Sequence, residues 1–262
     1  MKDFLIIAGP CVLEDLDTAL EIAYFMKELC EKIGFSYIFK ASFDKANRTS
    51  LYSYRGPSLE KGLAMLAEVK SKVGVSITTD VHETWQIEPV SQVVDVIQIP
   101  AFLCRQTDLL VMAGKTGKVV NIKKGQFMAP WDMKYAVEKV RSGNPKEVWL
   151  TERGTSFGYR NLVVDFRSLP IMKEYADRVI FDATHSVQIP GGAQGKSGGE
   201  RQFVFPLARA AVAVGVDGLF FEVHPEPDKA LCDGPNSLPL KDIPELFSQI
   251  SDLFAVAKKY GF

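Results

Sequence analysis

Along the chain, short apolar runs alternate with longer stretches of mixed polarity. The runs fall at residues 4–8, 37–40, 76–79, 94–99, 119–122, 148–151, 179–182 and 219–223. They are rich in β-branched and aromatic residues and show little period-two alternation, the pattern of parallel strands covered on both faces. The intervening stretches carry the three-and-four spacing of a helix stripe. Leu20, Ala23, Tyr24, Lys27 and Cys30 follow it within 18–33, and 60–73 and 244–260 read alike. No Pro- or Ser-rich linker, charge run or internal repeat divides the chain, so residues 1–262 are expected to form one domain. Eight strand–helix units in 262 residues predict a single closed (β/α)8 barrel, the TIM barrel. An open doubly wound sheet is the alternative. It would carry a Gly-rich fingerprint after the first strand, and Gly9-Pro10-Cys11 is not one.

The residues just past each run change the picture from fold to chemistry. They are Cys11, Lys40, Asp80, Gln98, Lys123, Arg153, His185 and Glu222. In a barrel the C-terminal ends of all strands converge on one face, where active sites sit. A single charged residue there is an ordinary contact with water; a reactive or polar side chain at every tip predicts a site.

Composition narrows what that site can bind. Hydrophobic residues make up 47% of the chain and charged residues 24%, which excludes disorder. The formal net charge is −1, from 31 basic and 32 acidic side chains, so nothing global attracts nucleic acid or an anionic membrane. The four cysteines form no CxxC pair and no disulfide framework, which fits a reducing, cytoplasmic setting. The N-terminal apolar run is broken too soon for a signal peptide, and no run is long enough to span a membrane. The sequon Asn47-Arg48-Thr49 is therefore expected to stay unmodified.

Two subsets of the tips carry different chemistry. Lys40, Lys45, Arg48, Lys123 and Arg153 put positive charge in one cleft, which suits phosphate and carboxylate groups; the alternative is that several pair with Asp44, Asp80 or Glu152. Cys11, His185, Glu222 and Asp233 offer a thiolate, an imidazole and two carboxylates, a set that can hold a first-row divalent ion. Their separations form no local motif, and the alternative is a buried apolar thiol and a hydrogen-bonded core histidine. Residues 191–197 resemble a phosphate-binding P-loop, but Pro190 stands where that pattern needs Gly, so residues 191–199 are read as a flexible loop beside the mouth and a candidate lid. His82 and His224 are either supporting groups of the site or surface histidines.

Several segments together resemble one family. Lys40-Ala-Ser-Phe-Asp-Lys-Ala-Asn-Arg48, Thr79-Asp-Val-His-Glu83, the stretch from Gln98 through Ala101 and Arg105 to Asp108, Asn121-Ile-Lys-Lys124, Arg153-Gly-Thr-Ser-Phe-Gly-Tyr159, Phe181-Asp-Ala-Thr-His-Ser186 and Cys232-Asp-Gly-Pro235 are similar to segments of the 3-deoxy-D-manno-octulosonate 8-phosphate synthases. The likeness runs from Phe4 to the last helix.

The resemblance implies condensation of phosphoenolpyruvate with D-arabinose 5-phosphate. It implies that Lys45, Gln98, Ala101, Lys123 and Arg153 hold phosphoenolpyruvate, that Lys40, Asn47 and Asp80 meet the aldose, and that Arg48 and Thr49 meet its phosphate. Lys40, His185 and Asp233 are the implied catalytic groups. The family often has Ser where Thr49 stands; the hydroxyl remains. A metal-free kind of the family has Asn at the position of Cys11, so this chain resembles the metal-dependent kind. One divalent ion per chain (iron, zinc, manganese or cobalt) is then expected on Cys11, His185, Glu222 and Asp233. A homotetramer is implied too, with Arg105 reaching a neighbouring subunit's site. The arabino-heptulosonate phosphate synthases are the related alternative; they typically carry a KPRTS-type segment where this chain has Lys45-Ala-Asn-Arg48. A non-catalytic barrel that binds sugar phosphates is the remaining one.

Overall fold

The computed structural model describes residues 4–48, 50–159, 161–193 and 196–260. Eight parallel strands close into a barrel: β1 (Leu5–Gly9), β2 (Ser36–Lys40), β3 (Ser76–Asp80), β4 (Val96–Ile99), β5 (Val119–Lys123), β6 (Glu147–Glu152), β7 (Arg178–Asp182) and β8 (Gly218–His224). Neighbours in sequence are neighbours in the sheet, and β8 pairs back onto β1 from Leu5 with Gly218 to Gly9 with Glu222. The helices between them are α1 (Leu16–Ile33), α2 (Leu59–Val73), α3 (Thr84–Ser91), α4 (Thr107–Lys115), α5 (Met133–Arg141), α6 (Ser168–Lys173), α7 (Val204–Val214) and α8 (Ile243–Lys259). This is the (β/α)8 architecture that the apolar runs predict, not the open sheet. Among the described residues no helix is long and apolar enough to cross a membrane.

Local chemistry sets the helix ends. Asp15 caps α1 by accepting from the Thr18 N–H at 2.7 Å, and Gly34, at φ 85°, ends it with its own N–H returned to the Cys30 and Glu31 carbonyls. Such ends leave each following strand free to start at the bottom of the barrel.

The runs look uniformly apolar because two cores share each strand. Leu5, Ile7, Ile38, Val96, Val119, Trp149, Ile180 and Phe220 fill the barrel interior. Their neighbours Ile6, Phe39, Ile97, Val120, Leu150, Phe181 and Phe221 pack outward under the helices. Since side chains on a strand alternate, two further steps along each interior column lead from apolar residue to polar tip: Ile38 to Lys40, Val96 to Gln98, Ile180 to Asp182 and Phe220 to Glu222. The barrel's lower interior is thus an apolar plug, and the side chains above it face a shared mouth.

Two segments beyond the barrel form short antiparallel hairpins over it. One pairs Thr155–Phe157 with Asn161–Val163. The other pairs Gln188–Ala193 with Lys196–Gly199, so the stretch read as a flexible loop is largely strand. Period-two patterning is invisible there because glycine dominates the segment.

Candidate active site

Gly9 opens the site. A Cβ there would lie 2.0 Å from the Lys40 carbonyl oxygen, so only glycine lets β1 run this close to β2 and deliver Cys11 to the mouth. Lys40, at the end of β2, is 1% exposed, and this decides its role: an ammonium so buried must be held by fixed acceptors. Its Nζ donates to the Cys11 carbonyl at 3.0 Å and to Ser42 Oγ at 2.9 Å, and lies 3.9 Å from Glu222 Oε1 and 4.0 Å from Asp80 Oδ1. Ser42 Oγ in turn donates to Asp80 Oδ1 at 2.5 Å, and His82 Nε2 sits 3.2 Å from Asp80 Oδ2. Burial alone would raise the Asp80 pKa; Lys40, His82 and Lys45 outweigh it and hold the carboxylate well below its usual range.

Across the mouth, Lys123 and His185 share Asp182. Lys123 Nζ donates to Asp182 Oδ2 and stands over the Phe220 ring, 3.6 Å from its centroid. His185 Nδ1 lies 2.6 Å from the same oxygen, which leaves Nε2 facing Glu222 Oε1 at 3.3 Å and Asp233 Oδ2 at 4.0 Å. Burial lowers the Lys123 pKa despite Asp182. Burial works against the Asp182 carboxylate, but His185 and Lys123 prevail and keep it ionised.

Arg153 follows β6 and is buried. Its Nη2 donates to Gln188 Oε1 at 3.0 Å, and Gln188 Nε2 reaches Asp233 Oδ2 at 3.3 Å. Its backbone and that of Gly154 are held by Glu152 Oε1, which also faces the buried Lys124. Among the described residues, Arg153 Nη1, Gln98 Oε1, Arg48 Nε and both Glu222 oxygens are buried with no hydrogen-bond partner. Buried polar atoms are rarely left so, and this group surrounds one mouth with donors and acceptors that a ligand would satisfy.

The four expected metal ligands meet here as two overlapping trios. His185, Glu222 and Asp233 form one, and Cys11, Cys232 and Asp233 form the other; in each, the donor atoms lie within 4.8 Å of one another. Asp233 joins them from a left-handed backbone conformation, φ 47°, which aims its carboxylate inward. The Cys11 sulfur is 3.5 Å from Asp233 Oδ2 and 2.7 Å from the Cys232 sulfur, and both cysteines are free thiols. Burial, Cys232 and Glu222 push the Cys11 thiol pKa well up, so the sulfur is protonated until a cation arrives. The donor set fits a divalent ion: two carboxylate oxygens without hydrogen bonds, a histidine nitrogen oriented by Asp182, and sulfur.

The other expected residues divide. Lys45 is half-buried and makes no ion pair within 4 Å among the described residues; Asp44, one of the three acids named as possible partners of the cations, is taken by Arg55 at 2.5 Å. Burial alone would lower the Lys45 pKa, but Cys11, Cys232, Asp80 and Glu222 raise it well above the usual value. Arg48 turns to the loop after β8, donating to Cys232 Sγ at 2.9 Å and to the Leu231 carbonyl at 3.4 Å. Asn47 is exposed, and Ala101, buried in the turn after β4, offers only its backbone. Thr49 lies outside the described residues, as do the side chains that the P-loop comparison needs. His82 supports Asp80, whereas His224 stands 3.8 Å from Glu14 and accepts from the Glu226 N–H. Arg105 is exposed.

The site also contains residues not singled out from the sequence. Asp182 follows Ile180 by two on the interior face of β7, and Ser42 follows Lys40 by two, so the period of the strand identifies both. Gln188 and Cys232 carry no such signal, because loops bring them in.

Comparison with known proteins agrees with this chemistry. Residues 2–258 match the DAHP synthetase I family. A 2-dehydro-3-deoxyphosphooctonate aldolase of Nitratidesulfovibrio vulgaris is 59% identical over 251 residues, covering 96% of this chain and 92% of the relative. Those of Desulfotalea psychrophila and Fusobacterium nucleatum are 56% identical over 258 residues and 55% over 257, each covering 98% of this chain and 92% of the relative. The family description names the heptulosonate alternative, while these much more specific full-length relatives share the octulosonate name. The chain therefore belongs to the DAHP synthetase I family and, within it, to the 2-dehydro-3-deoxyphosphooctonate aldolases, also called 3-deoxy-D-manno-octulosonate 8-phosphate synthases.

Proposed function

We propose that this enzyme joins phosphoenolpyruvate to D-arabinose 5-phosphate and water, giving 3-deoxy-D-manno-octulosonate 8-phosphate and inorganic phosphate for the Kdo sugar of lipopolysaccharide. The observation that carries the reading is the unsatisfied mouth: among the described residues Arg153 Nη1 and Gln98 Oε1 lack hydrogen-bond partners, at the strand ends that also carry Lys123 and Lys40.

In this reading Lys45, Lys123 and Arg153 hold the anionic groups of phosphoenolpyruvate, with Gln98 and the Ala101 backbone completing its pocket. Asp80, Asn47 and Lys40 meet the aldose, and Arg48 and Thr49 its phosphate. The C3 carbon of phosphoenolpyruvate forms a bond to the aldehyde carbon, and Lys40 gives a proton to the aldehyde oxygen, which becomes a hydroxyl. Positive charge left at C2 is captured by water, which loses a proton. In the resulting hemiketal phosphate the C2 hydroxyl loses its proton and becomes the C2 carbonyl as the C2–O bond to phosphate breaks, and the phosphate takes up that proton and leaves toward Lys123 and Arg153. His185 and Asp233 are candidates for that water's proton, a role in competition with binding a metal. A divalent ion on Cys11, His185, Glu222 and Asp233 would supply Lewis-acid polarisation of an aldose oxygen. The reading has one catalytic domain, spanning 1–262, at work in the cytoplasm. A homotetramer accords with the exposed aromatics Phe102, Phe127, Trp131 and Tyr135.

Phosphate release tests the reading. It should be much faster with arabinose 5-phosphate than with erythrose 4-phosphate, and equal or reversed rates would sink it in favour of the heptulosonate reaction.

A further inference from the structure

Cys232 lies outside the ligand set that the resemblance implies, yet it belongs to the trio with Cys11 and Asp233. We infer that Cys232 is a second thiolate ligand of the divalent ion, so that the site holds its metal through two sulfurs. This inference rests on the metal reading of the site.

Three observations converge on it. First, the Cys232 sulfur stands 2.7 Å from that of Cys11, both residues are buried, and both sulfurs lie within 4.8 Å of the Asp233 carboxylate. Two adjacent thiolates on one ion stand roughly 3.3–3.8 Å apart for bonds of about 2.3 Å, so the pair needs to open by only about 0.6–1 Å. Second, Arg48 Nη1 donates to Cys232 Sγ at 2.9 Å. A sulfur that serves only as a small apolar filler needs no guanidinium; a ligating thiolate is stabilised by one, much as ligands elsewhere in metal sites are hydrogen-bonded from behind. Third, charge balances. Thiolates from Cys11 and Cys232 with the Glu222 and Asp233 carboxylates bring four negative charges to a divalent ion. Arg48 lies against Cys232, and Lys40 stands 3.9 Å from Glu222.

Asp233 is common to both trios, so an ion beside it takes sulfur from the loop after β8 and the end of β1 on one side, and His185 with Glu222 on the other. Two soft donors shift the preference toward zinc, iron or cobalt and away from manganese, whose bonds favour oxygen. The contact also ties the ion to Arg48: loading the metal fixes the sulfur on which that guanidinium rests.

The test is spectroscopic and independent of turnover. Metal-stripped, reduced protein is titrated with cobalt(II), and the sulfur-to-cobalt charge-transfer band is measured per bound ion. Cys232→Ser and Cys232→Ala should each keep one cobalt per chain and lose about half of the band. Cys11→Ser should lose the other half, and the double variant all of it. X-ray absorption on cobalt-loaded wild-type protein should count two sulfur neighbours, a measurement that needs no variant to fold. A full band in Cys232→Ser with one sulfur neighbour in the wild type overturns the inference and leaves the metal site standing. No cobalt bound by the wild type overturns the metal reading itself.

Discussion

Asp182 Oδ2 accepts from both Lys123 Nζ and His185 Nδ1, so a single carboxylate at the end of β7 orients a phosphate-binding candidate and a metal-binding candidate at once. The pairing fixes the proton of His185 on Nδ1 and presents Nε2 to Glu222 and Asp233. Asp182→Asn keeps the shape but offers an amide that no longer favours this tautomer. Metal affinity, measured by competition with a chromophoric chelator, should fall about 10–100-fold with the barrel still folded. Unchanged affinity would remove His185 from the ligand set.

Arg153 is the clearest candidate for an anion contact. Its Nη2 is satisfied by Gln188, while Nη1 is buried with no hydrogen-bond partner among the described residues. Charge-assisted contacts to phosphate contribute about 1.5–3 kcal/mol each. Arg153→Ala should weaken phosphoenolpyruvate binding by roughly ten- to a hundredfold in calorimetry. Binding as tight as the parent's would place Arg153 outside the pocket.

How far the sequence reaches is visible in these two residues. Arg153 is legible because it follows a recognisable apolar run, and strand tips in a barrel face one mouth. The barrel itself is legible for the same reason, since eight runs buried on both faces leave few other closures. Asp182 stands inside its run, where the apolar pattern marks strand and not chemistry; only the interior alternation from Ile180 separates the two. Cys232 could not be placed at all. Its position depends on how the loop after β8 folds, with Asp233 in a left-handed conformation that no periodic pattern announces. The half-hidden hairpin at 188–199 escaped for a related reason: its glycines carry no side-chain pattern to read.

Asp80 links the site to acid stability. Lys40, His82 and Lys45 overcome its burial and hold its folded pKa below the unfolded value of about 3.9. The unfolded chain therefore binds the proton first as pH falls. The stabilisation is fully present above the unfolded pKa and is lost as pH drops toward the folded one, at up to about 1.4 kcal/mol per pH unit for one group. Asp80→Asn should be less stable at neutral pH, where Lys40 loses a counter-charge, and should decline less steeply below about pH 4. Urea midpoints from pH 3 to 7 check this, and parallel curves for the two proteins would refute it.

Cys11 decides whether the metal is catalytic. The barrel has a large apolar core of its own, so a chelator should abolish turnover without unfolding the protein. Cys11→Ser replaces a soft sulfur by a harder, weaker donor and should lose most of the metal affinity. Cys11→Asn is the more informative change, because Asn occupies this position in the metal-free kind of the family that the sequence resembles. Its amide can hydrogen-bond water or substrate in the space between Asp233 and Glu222, where the parent without metal leaves a protonated thiol and two unpartnered carboxylate oxygens. Cys11→Asn should then keep measurable turnover in chelator at a level that the parent, equally stripped, does not reach. Rates are read together with metal content by elemental analysis. Full parental activity at a metal content near zero would show that Cys11 is a packed thiol and that the chemistry rests on Lys40, Lys123 and Arg153 without an ion.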